Sequence, residues 1–212
     1  MNNYDLILKA FKFQYGEGKA ALDNPRPDGD YYYASDSRVL VRIKKDLCDG
    51  EYQPHEKQPN FERVIPPKHI SLELPVFNIL EQIMSHNQEI KLIGKEAVCD
   101  ECNGSREVTW TYEDMDGYEH DKEFDCPICD GLGYVQEKTV PIEKLNMSIN
   151  GVSFNIGLMK KVLNSIQSLL GLKTAKIVHL SQRGPMLIEA QPGVDMLIMS
   201  DRSEHQIINV HI

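Results

Sequence analysis

Apolar residues recur at helical spacing most clearly in the last third of the chain. Asn155 is a residue type that caps helix N-termini, and Gly171 is typical of a helix C-terminal stop. The apolar residues between them follow i, i+3, i+4, i+7 spacing: Met159, Val162, Leu163, Ile166, Leu169 and Leu170. The pattern predicts an amphipathic helix that begins directly after Ser153-Phe154-Asn155.

Three short apolar segments follow this helix and predict strands. They span 174–180, 185–190 and 194–199, and Gln191-Pro-Gly193 is suited to a tight turn between the last two. Over the whole chain, the periodicity predicts repeated units in which a helix is followed by strands, and this unit is the clearest of three.

The other two units show weaker versions of the same order. In the second, a predicted strand (70–74) precedes Pro75, a residue favoured in the first turn of a helix. The helix that follows has an apolar face made of Val76, Phe77, Ile79, Leu80, Ile83 and Met84. Predicted strands follow at 89–93 and, after an interruption, 138–142.

The first unit begins with an apolar segment over 4–13, whose apolar positions are Leu6, Ile7, Ala10, Phe11 and Phe13. A hairpin is predicted from 31–35 and 39–43 around Asp36-Ser37. Residues 14–30 and 46–67 are rich in Gly, Pro and Asp and predict loops. The expected fold class is α+β, built from repeated βαβββ units.

The net charge of the chain is concentrated in the stretch that interrupts the second unit. The 212 residues contain 23 Lys and Arg against 32 Asp and Glu, a net charge of −9. Residues 99–137 hold 12 acids against Arg106 and Lys122, which gives −10, and the remainder is +1. This segment therefore has the character of an insertion, and it should repel phosphates.

Four of the five cysteines lie in the acidic stretch, as Cys99-Asp-Glu-Cys102 and Cys126-Pro-Ile-Cys129. Two C-x-x-C pairs at this separation predict one zinc ion in a tetrahedral shell of four thiolates, which is a structural rather than a catalytic site. Two disulfides or a redox dithiol are the alternatives; turn-forming residues after each pair favour zinc. Cys48 is expected to be a reduced, partly buried thiol.

Between the knuckles, two strand-like segments flank Asp116-Gly117, a strong hairpin signal. The sequence therefore predicts a zinc-stapled β-hairpin over 96–137, inserted between body segments 1–95 and 138–212. Trp110, Tyr112 and Tyr118 are candidate anchors for a partner protein. His120 also lies between the knuckles, but four cysteines make it unnecessary as a ligand.

The second knuckle, Cys126-Pro-Ile-Cys129-Asp-Gly131-Leu-Gly133, resembles the C-x-x-C-x-G-x-G repeat of the DnaJ-type cysteine-rich zinc domain. The first, Cys99-Asp-Glu-Cys102-Asn-Gly104-Ser-Arg106, is similar except that Arg106 replaces the last glycine. That family has four repeats and two zinc ions, so two repeats imply one. The His-Pro-Asp signature of the J-domain is absent, and a co-chaperone identity does not follow.

Outside the insertion, four segments resemble, in order, motifs of the DNA sliding clamp. The segment 31–42 is similar to the bacterial clamp hairpin "ATDGHRLAVR", and 61–66 to its "FPDYRRVIP" crossover. The segment 154–164 resembles "FNVSYVLDVL", and 185–199 resembles the closing hairpin ending in "VVMPMR", although Ser200-Asp201 stands where the clamp has Pro-Met.

This resemblance implies a non-catalytic accessory protein of DNA replication or repair that forms a homo-oligomer, encircles duplex DNA independently of sequence and tethers replication or repair proteins. The polar helix faces would offer DNA-facing Lys9, Lys12, Lys160 and Lys161. The alternative is that these lysines are only solvated helix faces, and that the protein is a protein-binding adaptor or a chaperone-like module on a clamp fold that does not encircle DNA.

Signatures of catalysis and of targeting are absent from the sequence. It has no P-loop, no G-x-S-x-G or H-E-x-x-H, and no G-x-G-x-x-G between a strand and a helix, so we expect no enzyme activity. The longest apolar runs are only a few residues, and the N-terminus does not resemble a secretion signal. A soluble cytoplasmic protein without membrane contact is expected.

Overall fold

A computed structural model describes residues 1–13, 20–86, 88–93, 97–135, 137–182, 184–201 and 206–212. It divides the chain into two compact units, one comprising 1–87 and 142–212 and the other comprising 88–141. The smaller unit is thus inserted into the sequence of the larger one. The sequence-based boundaries at residues 96 and 137 stay a prediction.

The described residues contain three α-helices and fourteen strands. The helices are α1 (Asn3–Ala10), α2 (Val76–Ser85) and α3 (Ile156–Asn164). The strands are β1 (Arg26–Asp28), β2 (Tyr31–Ser35), β3 (Val39–Lys44), β4 (Leu72–Leu74), β5 (Glu89–Ile93), β6 (Glu107–Glu113), β7 (Glu119–Asp125), β8 (Glu137–Pro141), β9 (Asn146–Ile149), β10 (Val152–Asn155), β11 (Ala175–Leu180), β12 (Met186–Gln191), β13 (Val194–Ile198) and β14 (Gln206–Val210).

An antiparallel seven-stranded sheet forms the centre of the larger unit, in the order β1-β2-β3-β13-β12-β11-β4. The pairing of β3 with β13 joins the first quarter of the chain to its end, with Val41 opposite Met196. A second sheet has the order β10-β9-β14, in which β14 runs parallel to β9. Helix α3 contacts α2, and its C-terminal extension contacts α1. The expected mixture of helices and several sheets is confirmed.

The C-terminal unit has the predicted βαβββ order, from β10 through α3 to β13. Asn155 caps α3 as predicted, because its side-chain oxygen accepts a hydrogen bond from the Leu158 amide at 3.0 Å. The helix continues as a π-helical turn over Ser165–Leu169 and stops at Gly171, whose φ of +70° is left-handed. The hairpin of β2 and β3 is confirmed as well.

The structure differs from the sequence-based elements in several places. Strand β1 lies in a segment predicted to be a loop, and β14 and the hairpin of β9 and β10 were not predicted. On α2, Phe77 and Met84 are exposed, because the helix buries only the narrower stripe of Val76, Ile79, Leu80 and Ile83. Within the described ranges, every helix is too short or too polar to cross a bilayer.

Helix α1 is fixed to the larger unit through a buried carboxylate. Asp5 forms a capping box with Asn2 and accepts hydrogen bonds from the Asp49 and Gly50 amides and from the Tyr52 hydroxyl. Burial opposes ionisation of Asp5, but these donors outweigh it and lower the pKa of its carboxyl below the ordinary value. The helix N-terminus and the 49–52 loop are therefore held by one charged group.

A second buried carboxylate joins β13 to its neighbours. Asp195 is 2% exposed and accepts hydrogen bonds from Arg42 Nε at 2.8 Å and Lys68 Nζ at 3.0 Å. Arg42 also pairs with Glu62, which accepts a hydrogen bond from the Tyr33 hydroxyl. Two cations on separate chain segments thus depend on one buried anion.

We predict that Asp195→Asn lowers the free energy of unfolding by about 3 kcal/mol, since it leaves Arg42 without its buried counter-charge. Urea denaturation of the larger unit, followed by far-ultraviolet circular dichroism, measures the loss. Glu189→Gln is the matched control, because Glu189 contacts Lys68 nearer the surface, and its cost should stay below about 1 kcal/mol. Equal losses in the two variants would contradict the assignment.

Candidate metal centre and partner-binding surfaces

The structure brings the four predicted ligand cysteines together in the smaller unit. The sulfur atoms of Cys99, Cys102, Cys126 and Cys129 all lie within 4.8 Å of one another, and all four residues are buried. Sγ of Cys99 lies 3.7 Å from Sγ of Cys126, and Sγ of Cys102 lies 3.7 Å from Sγ of Cys129. The cluster is suited to hold one metal ion.

The spacing of the sulfurs can be compared with a zinc–thiolate shell. A tetrahedron with zinc–sulfur bonds of about 2.3 Å has edges of about 3.8 Å, close to the two measured separations. Disulfides would require sulfurs at about 2.0 Å, and these cysteines are free. Four thiolates around one ion also leave no open position for a substrate, so such a site would be structural.

The two knuckles have matching backbone conformations. The residue after each second cysteine is left-handed, with φ of +48° at Asn103 and +50° at Asp130. Four positions after each second cysteine, Arg106 and Gly133 both have φ of +82°. Arg106 therefore adopts a conformation that suits glycine, as the sequence comparison of the two repeats indicates.

Backbone amides are directed at the sulfurs, which favours thiolates. The Gly133 amide donates to Cys129 Sγ at 3.2 Å. Burial opposes ionisation of Cys102, but the amides of Arg106 and Gly104 outweigh it and lower its pKa below the ordinary value. Burial raises the pKa of Cys129, partly offset by the Gly133 amide.

Cys48 belongs to the larger unit and is not part of the cluster. Burial, together with the nearby carboxylates of Asp5, Asp49 and Asp46, raises the pKa of the Cys48 thiol to about 12. A thiol with such a pKa is a poor nucleophile and a poor metal ligand at neutral pH. This agrees with its expected role as a reduced, partly buried residue.

Strands β6 and β7 form a two-stranded ribbon with two chemically different faces. Register pairs Trp110 with Lys122, Tyr112 with His120 and Val108 with Phe124, so one face is mainly aromatic. The opposite face holds two threonines and six carboxylates, which belong to Glu107, Glu113, Glu119, Asp121, Glu123 and Asp125. Apart from half-buried Val108, every residue of the two strands is exposed.

Two of the three predicted partner anchors lie on the aromatic face of this ribbon. The side chains of Trp110 and Tyr112 are 56% and 55% exposed, whereas Tyr118 lies in the connecting turn. Phe124 was missed, although the alternation of the strands places it beside Trp110, with ring centroids 5.5 Å apart. His120 stacks on Tyr112 and contacts Asp114, away from the cysteines. The role of Trp110, Tyr112 and Tyr118 as partner anchors stays a prediction.

Two of the four lysines predicted to face DNA form ion pairs within the protein. Lys160 Nζ lies 2.9 Å from Glu143, and Lys161 Nζ lies 3.1 Å from Asp36 and 4.4 Å from the centre of the Phe11 ring. Lys9 is exposed at the end of α1, and Lys12 follows that helix. The structure does not test their contact with DNA.

An apolar cleft of about 230 Å³ lies on the larger unit beside the β2–β3 hairpin. Its lining includes Leu22, Val39, Leu40, Phe61, Val64 and Met199. It adjoins the core cluster in which Phe61 stacks on Tyr33 with ring centroids 5.0 Å apart. The cleft was not predicted, because its walls come from segments distant in sequence.

No protein-family model matches the sequence, and no curated protein matches it. Among solved structures, the chain is similar to the DNA polymerase sliding clamp of Caulobacter crescentus, with 14% identity and a TM-score of 0.47 over 96% of this chain and 65% of that one. The DNA polymerase III subunit β of Pseudomonas aeruginosa gives 12% identity and a TM-score of 0.48, over 96% of this chain and 66% of that one. The DNA polymerase III β subunit of Thermotoga maritima gives 12% identity and a TM-score of 0.49, over 96% of this chain and 65% of that one. The chain thus spans just under two thirds of the length of these clamps.

We predict that the protein binds one zinc ion per chain and that Cys126→Ser abolishes this stoichiometry. Without the ion, the smaller unit loses its cross-link and the ribbon unfolds. Trp110 is the only tryptophan of the chain and lies in this unit, so its fluorescence reports ribbon unfolding while native mass spectrometry reports zinc. Cys48→Ser is the matched control and should retain the ion; loss of zinc there would contradict the assignment.

We predict that Arg106→Gly stabilises the zinc-loaded smaller unit by about 1 kcal/mol, because it relieves a left-handed conformation that is unfavourable for arginine. Denaturation followed by Trp110 fluorescence measures the gain. Gly133→Ala is the converse control: its new Cβ would lie 2.9 Å from the Gly104 carbonyl oxygen, so it should destabilise. A loss of stability in Arg106→Gly would show that the arginine side chain contributes more than its backbone costs.

Proposed function

We propose that this chain is a non-catalytic, clamp-like accessory protein of DNA replication or repair, which self-associates and tethers partner proteins to DNA. The zinc module acts as its protein-docking arm. The observation that carries the proposal is the way in which the four clamp-like segments of the sequence assemble in the larger unit.

Those segments are contiguous in space as well as ordered in sequence. The segment 31–42 forms most of the β2–β3 hairpin, and the segment 185–199 contains β12 and β13. Strands β3 and β13 are paired neighbours in the central sheet. Phe61, from the crossover segment, packs on Tyr33 in the core beside them. The segment 154–164 contains α3, which contacts β13. The motifs together build a common body.

A clamp with this charge distribution would hold DNA by topology rather than by electrostatic contacts. Lys160 and Lys161 are paired with carboxylates, and residues 99–137 carry a net charge of −10, with 2 basic against 12 acidic residues. These two lysines are therefore less available to release counterions from phosphates. A closed ring needs few direct contacts, because encirclement itself prevents dissociation.

The aromatic face of the ribbon supports the docking role of the zinc module. Trp110, Tyr112 and Phe124 are large, rigid and exposed side chains of the kind that anchor protein interfaces. The carboxylates of the opposite face disfavour contact with nucleic acid, so the arm would meet a protein rather than DNA. Zinc would fix the base of the arm and leave the aromatic face free.

The test is retention of the protein on DNA of different topology, after native mass spectrometry has given the subunit number. We expect a closed homo-oligomer that co-elutes with nicked circular plasmid in gel filtration and is lost when a restriction enzyme linearises the same plasmid. Linear plasmid of equal length is the matched control. The double variant Trp110→Ser, Phe124→Ser should leave subunit number and retention unchanged, because the arm does not build the ring.

A monomer, or equal retention on circular and linear plasmid, would refute the clamp function. That outcome would favour the second candidate, a protein-binding adaptor on a clamp-like body that does not encircle DNA. The ion pairs of Lys160 and Lys161 with Glu143 and Asp36 are the specific observation in its favour, since they occupy cations that a DNA-binding surface would offer to phosphates.

A further inference from the structure

We propose that His69, His179 and the carbonyl oxygen of Pro67 form a second metal-binding site, on the surface of the larger unit, for a divalent transition-metal ion of the zinc type. The proposal is independent of the cysteine cluster and of the clamp function. It rests on the mutual geometry of three donor atoms from two distant segments of the chain.

The three donor atoms form a nearly equilateral triangle. Nδ1 of His69 lies 3.1 Å from the Pro67 oxygen, Nδ1 of His179 lies 3.2 Å from the same oxygen, and the two ring nitrogens are 3.1 Å apart. Ligands at about 2.1 Å from one ion are separated by about 3.0 Å in an octahedron and about 3.4 Å in a tetrahedron. The observed triangle therefore matches one face of a coordination shell.

Hydrogen bonding alone cannot satisfy all three contacts. Each contact needs one proton between a donor and an acceptor, whereas the carbonyl oxygen only accepts. If both imidazoles donate to the oxygen, their two N–H groups lie side by side, and no proton acceptor stands between the two nitrogens. If one imidazole donates to the other, that acceptor nitrogen meets the oxygen with lone pair against lone pair. A cation removes the conflict, because all three atoms then present lone pairs to it.

The backbone around His179 is shaped so that the two imidazoles meet. Strand β11 has a β-bulge between Ile177 and His179 where it pairs with β12, and both Ile177 and Val178 are buried. Side chains of a regular strand alternate between its two faces, but here two consecutive side chains are buried. The bulge therefore sets the direction of the next side chain, His179. The Val178 carbonyl accepts hydrogen bonds from the His69 and Ile70 amides at 2.9 and 3.3 Å, which hold the second segment alongside.

The chemistry and surroundings of the triangle suit a borderline metal ion. Imidazole nitrogens favour zinc, copper and nickel over magnesium or calcium, and water would complete the shell because His69 is exposed. The adjacent cation, Lys68, has its ammonium bound by Glu189 at 2.6 Å and Asp195 at 3.0 Å. Its charge is thus largely compensated, which lowers its repulsion of a metal ion.

The test titrates Zn²⁺ into full-length protein whose cysteine site is already zinc-loaded, so that the added ion cannot displace a different metal from the thiolates. Calorimetry gives the stoichiometry, and long-range ¹⁵N–¹H spectra report the imidazole nitrogens. We expect one further equivalent of zinc, with shifts of Nδ1 in both His69 and His179. His69→Gln and His179→Gln should each weaken this binding about tenfold or more.

His86→Gln is the matched control, since Nδ1 of His86 lies 2.7 Å from the Gln82 carbonyl oxygen on α2 and is not one of the three atoms of the triangle. Its affinity for the second equivalent should stay within about twofold of the parent. The proposal is overturned if no further equivalent binds below about 1 mM zinc, or if His86→Gln weakens binding as much as the other variants. Unshifted Nδ1 resonances of His69 and His179 in the parent protein would overturn it equally, whatever the stability of the variants.

Discussion

The convergence of four sulfur atoms is the constraint on which the smaller unit depends. Its β6–β7 ribbon is exposed on both faces, and the four cysteines form a buried cluster in this unit, with Val108 and Val135 packed against them. A segment with so little apolar burial and so many repelling carboxylates gains little from the hydrophobic effect. Coordination of a metal ion by the four thiolates would be an interaction large enough to order it.

The larger unit is stabilised in the opposite way, by contacts between segments far apart in sequence. Strand β3 pairs with β13 across some 150 residues, and Arg42 of β3 meets buried Asp195 of β13. Because these pairings join the two ends of the chain, the segment between β5 and β8 does not carry the central sheet. Its length and composition can vary without changing the sheet order, which is why an acidic, cysteine-bearing module is tolerated there.

Local signals made much of this organisation predictable, and distant contacts did not. Asn155 and Gly171 bound α3, and the cysteine spacing marked the metal cluster, because each signal lies within a few residues of the feature it specifies. The β9–β10 hairpin has such a local signal, the dipeptide Asn150-Gly151, and both residues have positive φ in the structure. Strand β14 pairs in parallel with β9, some 60 residues away, and no local pattern announces that pairing. The same holds for the partners of Lys160 and Lys161 and for the contact of His69 with His179.

The distribution of charge separates the ways in which the two units can bind other molecules. In the larger unit, Lys68, Lys160 and Lys161 are each paired with carboxylates, so those cations contribute to internal cohesion more than to a positive surface. The apolar cleft near Phe61 on the larger unit and the aromatic face around Trp110 on the smaller unit are both exposed. Exposed apolar area gains free energy only when a partner covers it, and salt does not screen this gain as it screens charge interactions. A partner that covered either surface would therefore stay bound at ionic strengths that remove electrostatic contacts with nucleic acid.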